Sequence, residues 1–375
     1  MNKRLINSLI ISLMSYSMQA SLFASDASST TVITKIAFGS CASENKPQPI
    51  WDAIVTENPD LFLFVGDNIY GDTEDMSVLK HKYSRLMAKS GYQKLLKTCP
   101  ILSTWDDHDY GKNDGGSEYP MRNESAEVFL DFFKVPDDSP RRSRAGIYGA
   151  QIFGKPGQRV QIILLDTRYF RSSPLIENTM MSGKEKKEKN LVGWYLPITD
   201  TSTTLLGLEQ WTWLEKQLNE KADLRIIASS IQVVSQEKGM ECWGNFPHER
   251  QRLFNLIENT KANGVVFISG DVHFSEISAD TTGPYPFYDF TSSGLTNSSK
   301  SWSQTVNSLR IGNAYSKPNF GLITIDWANK GIKLESKSVE GKMVIKKEIT
   351  LNELMIKRSS KFPVSPPRVE NDITI

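Results

Sequence analysis

Acidic, histidine and cysteine side chains follow several short apolar stretches of this sequence, at the points where those stretches end. Asp67 comes after Leu61–Val65 and one glycine, and Asp271 follows Val265–Ser269 in the same way. Other polar side chains in comparable positions are Cys41, Asp106, Asp107, His108, Asp166, Arg168 and His273. Carboxylates, thiolates and imidazoles bind metal ions and transfer protons. The pattern therefore points to a metal site or to acid–base chemistry.

Each of these residues, taken singly, has an ordinary structural explanation. An aspartate at the end of a strand often caps the next helix, which stabilises that helix by about 1 kcal/mol. A single buried cysteine commonly serves as a small core residue, and Tyr70 alone would be a packing aromatic group. Arg168 alone would be explained by an ion pair with Asp166. One such residue therefore does not establish a functional site.

The combination argues for bound cations. Grouping Asp67, Asp106, Asp107 and Asp271 in one place without cations would cost several kcal/mol through repulsion and desolvation. A multivalent cation removes that cost. The candidate ligands are mixed, because carboxylates suit hard ions whereas a thiolate and an imidazole suit softer or transition ions. Two or more different metals fit this mixture better than one tetrahedral zinc.

The elements that must bring these residues together alternate between strands and helices. Apolar runs predict strands at 32–38, 61–65, 100–105, 161–165, 224–230 and 265–269. Helical spacing predicts helices at 49–58, 73–97, 125–133, 208–218 and up to about 259, and later β segments are expected at 288–292, 320–327, 333–339 and 343–351. Such alternation predicts an α/β fold with a largely parallel sheet. Since the carboxyl ends of parallel strands lie at one edge, the polar residues above would meet there.

Composition limits the class of protein. The chain has 375 residues, of which 39% are hydrophobic, so it can form one large folded domain or two ordinary ones. Its 44 Lys and Arg nearly balance its 43 Asp and Glu. That balance gives no electrostatic basis for binding nucleic acid or acidic membranes. We therefore expect a folded globular protein without a nucleic-acid partner, and the composition indicates no particular oligomeric state.

The amino terminus has the pattern of a secretory signal peptide. Lys3 and Arg4 precede an apolar stretch, and small residues follow at Ala20 and Ala24. Serines interrupt the apolar stretch, which argues against a membrane-spanning helix, and the segment has no twin arginine. We therefore expect a signal peptide at 1–24 and export by the general secretory route. The destination would be the periplasm or the extracellular space, without stable membrane insertion after cleavage.

The rest of the chain is expected to form one domain at 32–352, followed by a poorly ordered tail at 353–375. Three cysteines remain, Cys41, Cys99 and Cys242. An odd number leaves at least one unpaired thiol in an exported protein. Two alternatives stay open, which are a disulfide between Cys99 and Cys242 and buried free thiols.

Four short blocks of the chain, taken in order, resemble the signature blocks of one enzyme family. They are Gly39-Ser40-Cys41, Gly66-Asp67-Asn68-Ile69-Tyr70, Asp106-Asp107-His108-Asp109 and Gly270-Asp271-Val272-His273-Phe274. Three further stretches, at 165–171, 208–214 and 243–250, are also similar. On these residues the chain resembles the PhoD-like alkaline phosphatases of the calcineurin-like metallophosphoesterase superfamily over about 36–351. The resemblance implies a four-layer α/β/β/α sandwich of the metallophosphoesterase type, with the metal centre at the sheet edges.

The resemblance also implies cofactors and a set of site residues. A ferric ion, Fe(3+), would be bound through Cys41, Asp67, Tyr70 and His273. Calcium ions, Ca(2+), would share Asp67 and use Asp107, Asn113 and Asp271. His108 would stabilise the transition state or protonate the leaving oxygen, and Arg168 would contact the phosphate.

The activity that the resemblance implies is hydrolysis of a phosphoester by a metal-activated water attacking phosphorus in line. Two substrate classes stay open, monoesters that release inorganic phosphate and diesters of lipids or wall polymers. Initial rates on a mono- and a bis-aryl phosphate would separate them. A third alternative is an exported calcium-binding module without turnover, against which the complete set of candidate catalytic residues argues.

Overall fold

The computed structural model describes residues 28–173, 182–188 and 192–356. The expected signal peptide lies outside these residues, as does the expected tail at 353–375 apart from its first four residues, so both stay predictions. Within the described part, no helix is long and apolar enough to cross a membrane. Cys41, Cys99 and Cys242 are all free and buried. Of the two alternatives for the cysteines, the structure therefore has the buried thiols.

The described strands form two mixed sheets. They are β1 (Ser28–Ser29), β2 (Lys35–Gly39), β3 (Leu61–Val65), β4 (Ile101–Thr104), β5 (Gly149–Phe153), β6 (Val160–Leu164), β7 (Leu224–Ser229), β8 (Val265–Ser269), β9 (Ser275–Asp280), β10 (Phe287–Ser292), β11 (Asn319–Asp326), β12 (Gly331–Ser338) and β13 (Met343–Thr350). One sheet has the order β1-β5-β6-β7-β8-β10-β9, and the other has the order β13-β12-β11-β2-β3-β4. The neighbours β6-β7-β8-β10 and β2-β3-β4 are parallel, as the alternation of strands and helices predicts.

The described helices lie mainly in the connections between these strands. They are α1 (Ile50–Glu57), α2 (Met76–Met87), α3 (Ser90–Thr98), α4 (Asp107–Tyr110), α5 (Arg122–Phe132), α6 (Gly183–Glu188), α7 (Gly207–Leu218), α8 (Pro247–Asn259) and α9 (Lys300–Ser303), with short 3-10 turns at Pro140–Arg142, Trp243–Asn245 and Leu351–Leu354. The single helix expected at 73–97 is two helices, α2 and α3. Gly91 in α3 lies so close to α1 that a Cβ there would come within 2.7 Å of Trp51 Cβ. Helix α3 therefore packs closely against α1.

Strand β3 is buried on both faces, as its unbroken apolar sequence predicts. Leu61, Leu63 and Val65 belong to the core between the two sheets. Phe62 and Phe64 belong to a second core, which the six-stranded sheet shares with helices. Because side chains alternate along a strand, this one strand supplies both cores.

The layers follow from these two cores. Between the sheets, Phe38 of β2 meets Phe290 of β10 edge to face, with ring centroids 4.9 Å apart. Helices α7 and α8 cover the outer face of the seven-stranded sheet. Helices α1, α2, α3 and α5 cover the outer face of the six-stranded sheet. The four-layer α/β/β/α sandwich is confirmed.

The carboxyl ends of strands from both sheets meet at one place. Ser40, after β2, pairs with Ser293, after β10, although these strands belong to different sheets. Gly270, after β8, lies so close to the other sheet that a Cβ there would come within 2.5 Å of Ser40 Oγ and 2.7 Å of the Val65 carbonyl oxygen. Only glycine fits that gap. The loops that carry the candidate ligands therefore leave the two sheets side by side.

Candidate metal centre

Four of the expected ligands adopt a backbone conformation that side chains other than glycine rarely adopt. The φ angles are 62° at Cys41, 50° at Asp67, 68° at Asp271 and 56° at His273. A non-glycine residue in this region costs about 1–3 kcal/mol and persists where the surrounding structure holds it in place. Such residues are concentrated at ligand clamps and active sites. Tight turns after β2, β3 and β8 therefore carry these four residues.

Cys41, Asp67 and His273 form the first group of donor atoms. One donor atom from each lies within 4.8 Å of the other two. The Cys41 thiol donates to Asp67 Oδ2 at 3.3 Å and lies 3.1 Å from Ser293 Oγ. The Tyr70 hydroxyl lies 3.2 Å from His273 Nε2. The four ligands expected for a ferric ion are thus brought together.

Asp67 also belongs to a second group, with Asp107 and His108, whose donor atoms again lie within 4.8 Å of one another. His108 Nδ1 lies 2.8 Å from both carboxylate oxygens of Asp72. A carboxylate only accepts hydrogen bonds, so Nδ1 of His108 carries a proton. The Tyr70 ring packs over the His108 ring, with centroids 4.3 Å apart. One carboxylate, Asp67, therefore joins two potential cation positions.

A third group joins Asp107 to two residues, Asp114 and Glu241, that the sequence did not suggest as ligands. Asp107, Asp114 and Glu241 have donor atoms within 4.8 Å of one another, and the Asp114 amide donates to Asp107 Oδ2 at 2.8 Å. Asn113, the expected ligand, is instead exposed. The structure thus differs from the expectation by one residue, because the turn after α4 directs Asp114 toward Asp107. Glu241 lies in an acidic, aromatic loop more than a hundred residues later in the chain. Its spacing from Asp107 and Asp114 therefore did not indicate that the three residues meet.

Asp271 lies beside the first group. Its main-chain carbonyl oxygen is 3.8 Å from Cys41 Sγ. Burial raises the pKa of its carboxyl well above the ordinary value, and the charges of Asp106, Glu241 and Asp107 raise it further. Its side chain therefore belongs electrostatically to the same acidic pocket as the other candidate ligands.

The pocket fits cations. Asp67 Oδ1 and Asp106 Oδ2 are buried acceptors without a hydrogen-bond partner. Burial, followed by the charges of Cys41 and Asp107, raises the pKa of Asp67 well above its ordinary value. An unpaired buried carboxylate oxygen is costly. A bound cation would satisfy these oxygens and remove the penalty on their ionised form.

The remaining donors fit a metal as well. Burial, together with the charge of His108, lowers the pKa of His273 to about 4, so its imidazole is in the neutral form that binds metals. Burial raises the pKa of the Cys41 thiol to about 12 and raises that of the Tyr70 hydroxyl also. Both would need a bound metal to deprotonate at neutral pH.

Arg168 does not open onto the pocket. Its side chain is fully buried; Nε donates to Asp106 Oδ1 at 2.5 Å, and its two Nη groups donate to Glu241 at 2.9 and 3.1 Å. Its main-chain amide donates to Asp166 at 3.0 Å. The expected contact of Arg168 with phosphate does not fit this geometry, because all of its donors face buried carboxylates.

Glu241 connects two arginines on this side of the pocket. Arg171 is buried like Arg168, and it also donates to Glu241 and to the carbonyl oxygens of Asp114 and Gly115. Burial opposes ionisation of Glu241, but the charges of Arg168 and Arg171 outweigh it and lower its pKa. Arg171 is the last residue of the stretch 165–171, which is one of the stretches that resemble the phosphatase family. The sequence therefore indicated that Arg171 belongs to a family motif, although it did not indicate its contact with Glu241.

Asp109 holds the turn beneath the candidate ligands. Its carboxylate accepts from the main-chain amides of Asp106 at 2.7 Å, Asp67 at 3.2 Å and Asn68 at 3.3 Å. It thereby ties the turn after β3 to the turn after β4. A single buried carboxylate thus fixes the relative position of Asp67 and Asp107, the two residues on which the second group depends.

Comparison with known proteins agrees with this geometry. The model of the PhoD-like phosphatase family matches residues 36–325. The chain belongs to this family. Alkaline phosphatase D of Bacillus subtilis strain 168 is 26% identical to it over 281 residues, which are 64% of this chain and 46% of the relative. The chain thus spans about half the length of this curated relative.

Solved structures share the fold of this PhoD-like chain. A structure of PhoD matches with a TM-score of 0.68 at 18% identity, covering 91% of this chain and 74% of that one. GAP50 of Plasmodium, an anchor in the inner membrane complex, has a TM-score of 0.54 at 15% identity, with coverage of 88% and 91%. A dimetal phosphatase from Danio rerio has a TM-score of 0.50 at 14% identity, with coverage of 85% and 99%. At these identities the likeness establishes the fold.

The buried carboxyls predict how the metal-free protein responds to pH. Burial raises the pKa of Asp109 and Asp114 to about 8 and that of Asp106 to about 6. In the folded chain they keep protons that the unfolded chain loses above about pH 4. Their stabilising contribution is therefore present at low pH and lost as the pH rises through about 8. His273 acts oppositely, since its lowered pKa adds stability as the pH rises from about 4 to about 6.5.

The carboxyls of Asp67 and Asp271 and the imidazole of His108 also have raised pKa values. Together these groups outweigh His273, so we expect the urea midpoint of chelator-treated protein to fall between about pH 5 and about pH 8. The control is the same titration with cations restored, which should reduce the fall because cations bind the ionised carboxylates that act as ligands. A midpoint that rises with pH in the chelator-treated protein would contradict this account of the pocket.

Arg168 gives a second prediction, which separates a structural role from a phosphate contact. Arg168→Gln should lower the free energy of unfolding by about 3–5 kcal/mol, because it leaves Asp106 and Glu241 buried with less counter-charge. The matched control Lys94→Gln removes an ion pair in which both side chains are more than half exposed, and it should cost less than about 1 kcal/mol. Denaturant unfolding measures both. Unchanged stability together with a higher KM would instead support direct binding of phosphate by Arg168.

Proposed function

We propose that this chain is a metal-dependent phosphoester hydrolase. The observation that carries the proposal is the carboxylate of Asp67, which is common to a group with Cys41 and His273 and to a group with Asp107 and His108. A carboxylate shared in this way can bridge two cations held a few ångströms apart, which is the arrangement used for in-line displacement at phosphorus. Membership of the PhoD-like phosphatase family supports the same reaction.

The donor types support different ions at the two positions. The thiolate of Cys41, the phenolate of Tyr70 and the imidazole of His273 suit a ferric ion, and Asp67 completes this set. The oxygens of Asp67 and Asp107 suit calcium, which prefers several oxygen ligands. Asp114 is better placed than Asn113 to extend this second set, because it lies beside Asp107. Asp271 would supply a further oxygen to the pocket.

The chemistry divides between the cations and the chain. When bound, the cations would lower the pKa of a water and neutralise charge on the phosphoryl oxygens. Asp67 would fix the spacing of the two positions, because Asp109 anchors its turn. Arg168 and Glu241 would hold Asp106 and Asp114 in place from beneath, as positioning residues. The chain thus supplies a rigid charged frame that need not reorganise during the reaction.

His108 is proposed as the general acid that protonates the leaving oxygen. Nδ1 of His108 donates to Asp72 at 2.8 Å, and one nitrogen of the ring lies within 4.8 Å of carboxylate oxygens of Asp67 and Asp107. Burial opposes protonation, but the hydrogen bond to Asp72 and the charges of Asp67 and Asp107 outweigh it and raise the pKa of His108 to about 10 in the metal-free chain. A protonated imidazole at this position can deliver a proton to an alcohol as it departs.

Export is the part of the proposal that rests on the amino-acid sequence alone. The charged and apolar pattern at 1–24 supports a signal peptide for the general secretory route. The enzyme would then acquire its ions outside the cytoplasm, in the periplasm or the extracellular space, where it would act on phosphoesters available there.

Asp67→Asn tests the shared carboxylate. The change keeps the size of the side chain and removes its charge, so both cations and phosphatase activity should be lost together. Elemental analysis of the purified protein and release of inorganic phosphate from an aryl phosphate measure the two effects. Asp75→Asn is the matched control, because Asp75 is an exposed helix cap and its change should leave both unaltered. Full activity of Asp67→Asn would contradict the bridging role.

His108→Gln tests the general acid. We expect kcat on an alkyl phosphate, whose alcohol needs protonation, to fall by about 10²–10⁴-fold. The rate on a nitrophenyl phosphate should fall much less, because nitrophenolate leaves without a proton. His81→Gln, on an exposed position of α2, is the control. An equal loss on both substrates would assign His108 to stabilising phosphoryl charge instead.

A further inference from the structure

The three groups of donor atoms form a row, because the first and second share Asp67 and the second and third share Asp107. Two aromatic residues lie at opposite ends of this row, and the sequence analysis assigned neither of them to the site. Tyr195 belongs to the described segment that begins at residue 192. Trp302 belongs to the short helix α9. Tyr195 contacts Asp114 at one end of the row, and Trp302 contacts His273 at the other end.

Tyr195 is held firmly against Asp114. Its hydroxyl donates to Asp114 Oδ2 at 2.5 Å, and its main-chain amide donates to the Gly239 carbonyl oxygen at 2.8 Å. The amides of Gly193 and Ile198 also donate to the loop 238–245, at 3.2 and 2.8 Å. The segment that carries the Tyr195 phenol is therefore itself held by main-chain hydrogen bonds to this loop. The phenol fixes one oxygen of Asp114, a residue whose carboxylate also lies close to those of Asp107 and Glu241.

Trp302 fixes the plane of the His273 ring. The two rings are stacked, with centroids 4.7 Å apart and an angle of 9° between their planes. The Ser299 amide, just before α9, donates to the His273 carbonyl oxygen at 2.7 Å. On its own side Trp302 packs against a small apolar cluster that contains Met240 and Phe274. The indole thus keeps His273 Nε2 directed toward Tyr70 and Cys41.

We propose that Tyr195 and Trp302 are positioning residues that hold the two cation sites independently. Tyr195 acts through Asp114 on the oxygen-rich site of Asp67 and Asp107. Trp302 acts through His273 on the site of Cys41. The inference rests on the proposed metal centre, and it adds that each end of the centre has its own support. Groups that orient metal ligands typically change metal affinity by about 10–100-fold when they are removed.

The contacts explain why the two effects should be separate. Tyr195 touches a carboxylate that lies beyond Asp107, whereas Trp302 touches an imidazole that belongs only to the first group. They come from chain segments more than a hundred residues apart. The loop 238–242 contacts both residues, since the Gly239 carbonyl oxygen accepts from the Tyr195 amide and Met240 packs on Trp302. Each residue is therefore the other's control.

The test measures cation binding to the metal-stripped full chain, and it does not depend on turnover. Cobalt(II) reports on the first site through its charge-transfer absorbance with the Cys41 thiolate. Terbium(III), a luminescent substitute for calcium, is then titrated into the cobalt-loaded protein and reports on the second site. The Kd is taken from the titration midpoint, because removing an aromatic ring also changes the luminescence intensity.

Tyr195→Phe should raise the Kd for terbium by about 10–100-fold and leave that for cobalt unchanged. Trp302→Leu should do the reverse, and Trp302→Phe, which restores a ring, should recover part of the lost cobalt affinity. Tyr285→Phe is the control for loss of a tyrosine hydroxyl, since Tyr285 donates to the Ala262 carbonyl oxygen away from the pocket. It should change neither constant.

The outcomes separate this inference from the proposed function. If the parent protein binds neither probe, the metal centre itself is wrong. If the parent binds both but the variants keep both constants, the centre stands and the positioning roles are wrong. If either variant weakens both probes equally, the sites are not held independently and the inference is overturned.

Discussion

The repulsion among buried carboxylates is the constraint on which the rest of this structure depends. Asp67, Asp106, Asp107 and Glu241 are all buried where the two sheets meet, and ionised carboxylates in such a place require nearby positive charge. Two guanidinium groups supply part of it from within the chain. One buried oxygen of Asp67 has no hydrogen-bond partner, and Asp67 also lies beside the Cys41 thiol and the His273 imidazole. Cations bound there would complete the balance.

The fold is suited to holding such a centre. Parallel strands in the middle of each sheet end side by side, and the contact of Ser40 with Ser293 joins the two edges. The turns that hold Cys41, Asp67, Asp271 and His273 at positive φ lie within four residues of the ends of buried strands. The packed strands keep these turns in place. The two cores beneath the turns thus preorganise the backbone that carries the donor atoms.

The motif blocks predicted much of the site. Cys41, Asp67, Tyr70, Asp107, His108 and His273 are brought together as the sequence suggested, since residues at strand ends of a parallel sheet share an edge. The contacts of Asn113 and Arg168 could not be predicted from the sequence in this way. A turn of a few residues decides whether Asn113 or Asp114 faces Asp107, and no periodic pattern encodes that choice. Whether Arg168 meets substrate or a buried carboxylate depends on Glu241, which lies more than seventy residues later in the chain.

The sequence by itself determined the fold class and the residue types of the centre, because apolar runs define strands and short polar blocks at their ends are local features. Only the tertiary structure decided which carboxylates share a pocket, that Arg168 and Arg171 both bind Glu241, and that Tyr195 and Trp302 flank the donor groups. The physical reason is distance along the chain. These contacts join loops from different layers, and burial of the two sheets against each other is what brings them within hydrogen-bonding range.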